Sequence, residues 1–255
     1  IENYFYPILT GKLTLGFDEI VVNKDNIREL AHQYATEKFG QVDLLFDFIE
    51  GTQKEKDDAI INIKPAWQID GLLNQSHFSP EQLKIARKKF KQNETIGISL
   101  PITVNHKLAG NKESKIKVFI KKPHDLIKGL DIYVRGGLTL PAEEKLKSRK
   151  ALGLMIAEDR GICDLLGDAE NAAHTQWIQK TEKLRKSYIK PGPIVRSVKQ
   201  SIISLYKVLS EIVEDRDEEA LLGFFSYRNP ENKPNKRRKP TPPKIPDKIK
   251  RSKKR

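Results

Sequence analysis

Two hydrophobic periods take turns along this chain. Residues 1–9 read as the end of a helix or an extended lead-in. In residues 12–17, Leu13, Leu15 and Phe17 alternate with Lys12, Thr14 and Gly16, the signature of a half-buried strand. Asn26 and Glu29 then have capping-box spacing, and Ile27, Leu30, Ala31 and Tyr34 recur at helical period, which predicts a helix to about residue 39. Residues 40–75 mix signals: 42–49 is apolar enough to pack as helix or strand, and 51–58 reads as a polar loop. Ser79, Pro80 and Gln82 mark the next helix start, with Leu83, Ala86 and Phe90 on one face.

From Ile96 the period switches to two. Ile96, Ile98, Leu100, Ile102 and Val104 are separated by Gly97, Ser99, Pro101 and Thr103, a strand in which Pro101 argues for an edge or a bulge. Ile116, Val118 and Ile120 repeat the alternation, then Leu130, Ile132 and Val134, then Leu138 and Leu140, while 152–157 is a continuous apolar run. These segments predict four or five strands in one mixed or mainly antiparallel sheet, with the two early helices covering a face: an α/β fold of the α+β type. After Glu158 the pattern turns helical, over 177–189 and 193–213. In the second helix Val198, Ile202, Leu205, Leu209 and Ile212 form a stripe that suits a helix pair better than a long coiled coil. The expected organisation is an α/β sheet domain over 1–158, a helical segment over 159–228, and a tail over 229–255.

Composition sharpens the tail. The 255 residues include 47 Lys or Arg and 34 Asp or Glu, a formal charge of +13, but residues 229–255 alone carry 12 Lys/Arg against Glu231 and Asp247. That leaves +10 in the tail and +3 in the rest. With six prolines and only Ile245 and Ile249 as large apolar residues, the tail is expected to be disordered. Its clusters, Lys236, Arg237, Arg238 and Lys239, then Lys250, Arg251, Lys253, Lys254 and Arg255, suit nucleic-acid phosphates; a solubilising linker is the plainer reading. No stretch is apolar enough for a membrane helix, and the single cysteine rules out an internal disulfide. Ile1–Leu9 lacks the pattern of a signal peptide, so a cytoplasmic protein with no membrane partner, cut from a longer chain, is expected.

Motif chemistry is sparse: there is no Gly-rich phosphate loop, no dinucleotide fingerprint and no nucleophile elbow. His124 and Asp125 form a lone pair in a loop and read as structural. The stretch LLGDAENAAHTQW sets Asp168, Glu170 and His174 within seven residues, a candidate metal site or acid/base pair of a metal-dependent hydrolase. The plainer alternative is a junction in which Asp168, Asn171 or Thr175 caps a turn or helix and Trp177 is buried. Arg135, at a strand end beside two glycines, is placed to reach a phosphate or simply to sit at a hairpin turn.

IENYFYPILTGKLTL, IYVRGGLTL, LLGDAENAAHTQW and LLGFFS, in that order, resemble the region after the ATPase module in large prokaryotic proteins of the GHKL type. These are relatives of gyrase B, MutL and the ninety-kilodalton heat-shock chaperone, and some are associated with phage defence. The resemblance covers roughly residues 1–228. It implies a middle or transducer-like segment that relays ATP-driven closure, with ATP and magnesium held by an N-terminal module outside this chain. That module and a second copy of the chain are the implied partners. In relatives the segment gives one basic residue to the γ-phosphate, and Arg135 is the matching position. The family pattern has a proline where this chain has Ala172 or Ala173, which leaves that turn less rigid here.

Overall fold

In the computed structural model the described residues are 4–34, 41–56, 59–140, 144–173 and 176–210. The tail over 229–255, with all its basic clusters, lies outside them, as do His174, Thr175 and LLGFFS. The described elements run α1 (Phe5–Leu9), β1 (Leu15–Phe17), β2 (Ile20–Val22), α2 (Ile27–Tyr34), α3 (Val42–Lys54), β3 (Ile61–Asn62), α4 (Ala66–Asp70) and α5 (Pro80–Lys91). Then come β4 (Ile96–His106), β5 (Gly110–Lys121), β6 (Leu130–Arg135), β7 (Leu138–Leu140), β8 (Leu152–Ala157), α6 (Arg160–Ala169), α7 (Glu182–Ser187) and α8 (Pro191–Ser210). The fold is α/β, built on a mixed six-stranded sheet of order β3-β4-β5-β8-β6-β7, with β1 and β2 as a separate hairpin.

β8 sits inside the sheet, antiparallel to β5 and parallel to β6, and all six of its residues are buried. A continuous apolar run is what such a strand needs, because both of its faces meet helices. Its side chains divide accordingly: Met155 and Ala157 join a core with α5, α6, α7 and α8, whereas Leu152, Leu154 and Ile156 join a second core with α1, α2 and α3. β5 and β6 divide the same way, Val118 and Tyr133 to the first core, Phe119 and Ile132 to the second. The sheet is therefore the middle of three layers. The two helices expected on one face, α2 and α5, lie on opposite faces.

The helices after Glu158 are part of this body. α8 lays Val198, Ile202, Leu205 and Leu209 on the first core, so the stripe read as a helix pair packs on the sheet. At Gly153 the approach is so close that a Cβ would stand 2.3 Å from Cγ2 of Ile202. Residues 1–211 form one compact unit, and the domain boundary expected at 158 falls inside it. The helix expected over 177–189 is confined to Glu182–Ser187, with Trp177 outside it in a β-bridge.

Local signals explain several termini. Ser79 Oγ accepts from the Gln82 amide at 3.2 Å while Gln82 Oε1 accepts from the Ser79 amide at 3.0 Å, the reciprocal box that starts α5. Ahead of α2 the box lies three residues earlier than the spacing suggested: Asn23 and Asn26 exchange backbone-to-carboxamide bonds of 2.8 and 3.3 Å. Pro101 does lie on an outward side of its strand. The neighbouring outward groups of β4 are met by side chains of α4, with Trp67 Nε1 donating to Pro101 O and Gln68 bonding both backbone groups of Thr103.

Candidate functional site

Arg135 ends β6, and the next two residues, Gly136 and Gly137, make the turn to β7 with φ of 56° and 88°. Left-handed backbone at two successive positions is the reason for two glycines there. The guanidinium does not face solvent alone. Its Nε and Nη2 donate to the two carboxylate oxygens of Glu170 at 2.5 and 3.0 Å, a bidentate clasp in which the Glu170 side chain is 2% exposed and that of Arg135 21%. Gly167, in the last turn of α6, lies against the guanidinium: a Cβ there would make an ordinary contact with Arg135 Nη1 at 3.5 Å.

Glu170 is held in place by its own loop. It pairs antiparallel with Trp177, the Ile178 amide donates to Ala169 O at 2.7 Å, and Asn171 and Gln176 bond each other through amide, carbonyl and carboxamide groups. Residues 169–171 thus pair back on 176–178 directly after α6. Trp177 is buried, its ring meeting Tyr133 edge-on at 5.8 Å. Tyr133 Oη and Lys199 Nζ extend the contact, donating to Lys199 O and Trp177 O respectively. The indole Nε1 has no hydrogen-bond partner among the described residues.

Asp168 faces elsewhere. Its Oδ2 accepts from Tyr188 Oη at 3.1 Å and its carbonyl accepts from Thr181 Oγ1, the hydroxyl that caps α7. Burial, reinforced by the Asp168 carboxylate, pushes the Tyr188 phenol up from its ordinary value. The expectation that Asp168 caps a helix is thus corrected: it accepts a phenol proton, and Thr181 does the capping. The two carboxylates of the proposed metal set go to different partners, Tyr188 and Arg135, and His174 lies outside the described residues. His124 is exposed, and Asp125 uses its carbonyl to accept from Gln41 Nε2 at 2.8 Å.

The Arg135–Glu170 pair was not legible in the residues, since 35 positions separate them and nothing in the periodicity links them. Asp131 was legible but passed over. It shares the Tyr133 side of β6, and a charged residue on a strand apolar on both faces must be buried. It is fully buried, with Oδ1 accepting from the Leu146 amide at 3.4 Å and Oδ2 without a hydrogen-bond partner among the described residues. Burial pushes its carboxyl up, against the backbone bonds and the Lys145 charge.

Comparison with known protein families, with curated proteins and with solved structures returns no match.

Proposed function

We propose that the chain is the non-catalytic relay segment of a GHKL-type conformational ATPase, acting in phage defence, with ATP and magnesium held by a module outside it. The observation that carries the reading is the Arg135–Glu170 clasp. A guanidinium at the partly exposed end of an inner-sheet strand already holds two oxygens in a planar fork, the geometry it offers to a phosphate. A phosphate that takes Arg135 breaks both clasp bonds to Glu170, and Glu170 is bridged to Trp177. From Trp177 the contacts run through Lys199 into α8. Exchange of one anion for another is therefore converted into movement of this paired segment and a helix. Without the phosphate, the buried Glu170 carboxylate keeps the relay in its resting position.

The test is steady-state ATP turnover by the intact protein. Arg135→Ala is expected to lower kcat by at least about tenfold, below the roughly 10³-fold that a phosphate-contacting arginine contributes in dedicated sites. Glu170→Gln, which weakens the competing anion, keeps or raises it. Unchanged turnover in Arg135→Ala, or hydrolysis of ATP by residues 1–255 alone, contradicts the proposal.

A further inference from the structure

One end of the sheet gathers more positive charge than the acidic groups of its two loops match. The register brings three junctions to that end. Lys121, the last residue of β5, and Leu130, the first of β6, both pair with Leu152, the first of β8, and Ile96 at the start of β4 pairs with Ile120. The loops over 122–129 and 144–151 therefore lie side by side. Gly129 shows how tightly: its amide donates to Lys147 O, and a Cβ on it would stand 2.1 Å from Leu146 O. Gln41 fixes the tip of the first loop, donating to Asp125 O at 2.8 Å and accepting from the Ile127 amide at 2.7 Å. The second loop is anchored by Asp131 to the Leu146 amide and by Lys145 Nζ to Lys199 O.

Residues 121–128 and 144–150 carry seven Lys/Arg against Asp125 and Glu144. Glu144 is matched to Lys147 at 2.9 Å, and no ion pair among the described residues engages the exposed Lys122, Lys128 or Lys150. Arg149 lies over the Tyr206 ring at 5.2 Å, and Phe90 meets the same ring at 6.0 Å. That contact joins the last turn of α5, with Lys88, Lys89 and Lys91, to the basic loops. The tied backbone keeps the residues that bear these cations close together although like charges repel, so their grouping is a cost to the fold unless an anion meets it.

We propose that this end of the sheet is a docking surface for the phosphate backbone of duplex nucleic acid. The four strands β4, β5, β8 and β6 span roughly 15 Å at ordinary strand spacing, enough to meet phosphates on both rims of a groove about 12 Å wide. Lysine predominates, a point charge suited to phosphate rather than to base edges, and the one arginine is stacked on Tyr206. Binding is accordingly independent of sequence. An anionic membrane is the weaker match, because the loop tips expose one large apolar residue, Ile127 at 78%, where an inserted face needs several. The surface is separate from the Arg135 clasp, which lies at the other end of β6, and the inference does not rest on the relay reading.

The experiment measures fluorescence anisotropy of a labelled 30-base-pair duplex of mixed sequence with the full chain across 50–200 mM salt. Lys122→Gln, Lys128→Gln, Arg149→Gln and Lys150→Gln are combined, and a second variant neutralises Lys236, Arg237, Arg238 and Lys239 in the tail. The surface variant is expected to weaken binding at least about thirtyfold and to flatten the log-log salt slope by about 3 units, from roughly 0.9 per phosphate contact. Replacing the three lysines by arginine restores binding, which separates lost charge from lost folding. The proposal is overturned if the surface variant binds with unchanged affinity and slope, the tail variant alone accounting for the loss. It is equally overturned if the wild-type chain ignores the duplex and binds phosphatidylserine vesicles in a manner abolished by Ile127→Ser.

Discussion

Asp131 shows how one side chain sets a measurable property. A carboxyl whose folded-state pKa is raised holds its proton more tightly when folded than when unfolded. Its contribution to stability is fully present below the unfolded value near 4 and is lost as pH rises through the folded one. Above the folded value the ionised, fully buried group is a liability. Asp131→Asn should therefore raise the urea midpoint at pH 7, with the gain shrinking as pH falls toward 4. A variant less stable than wild type at pH 7 would mean that the carboxylate bonds to the 144–146 turn outweigh desolvation. The Arg135 clasp has the opposite logic. Arg135→Ala removes both clasp bonds from the buried Glu170 carboxylate and should cost about 2–4 kcal/mol, whereas the double change Arg135→Ala with Glu170→Gln should recover most of it in a denaturation cycle.

Elements that carry their own chemistry were legible from residues alone. The Ser79–Gln82 box and the alternation of Ile96 to Val104 act locally, and both stand where the pattern put them. Replacing Ser79 by Ala should cost about 1 kcal/mol in thermal unfolding, with little further effect because the box is exposed. Residues 40–75 stayed ambiguous for a physical reason. Val42, Leu45, Phe46, Phe48 and Ile49 are all buried in α3, and an apolar run that dense fits either period. Trp177 misled in the other direction. The helical reading of 177–189 took it in, but the Asn171–Gln176 bonds beside it pair residues across a turn that periodicity does not report. Trp177→Ala should still cost roughly 3–5 kcal/mol, because the ring is buried against Tyr133 whatever the local backbone.

At the scale of the whole molecule, the sequence reading separated sheet from helices because the periods change at Glu158, yet period reports local structure and not which faces meet. The all-apolar run of β8 held the missing information, since a strand buried on both faces requires a helical layer on each side. Residues 1–158 alone should accordingly fail to unfold cooperatively, for they leave the face carrying Tyr133 and Met155 without α6 and α8. The relay proposal belongs to this scale as well, because it needs sheet, paired segment and α8 to move as parts of one body. Amide hydrogen exchange on the intact protein, with and without a non-hydrolysable ATP analogue, tests it most directly. If the relay operates, the analogue alters exchange at residues 135–138 and 169–178, and the isolated 255-residue chain shows no response to the same analogue. Unaltered exchange in both segments of the intact protein, or protection of the isolated chain by the analogue, would contradict it.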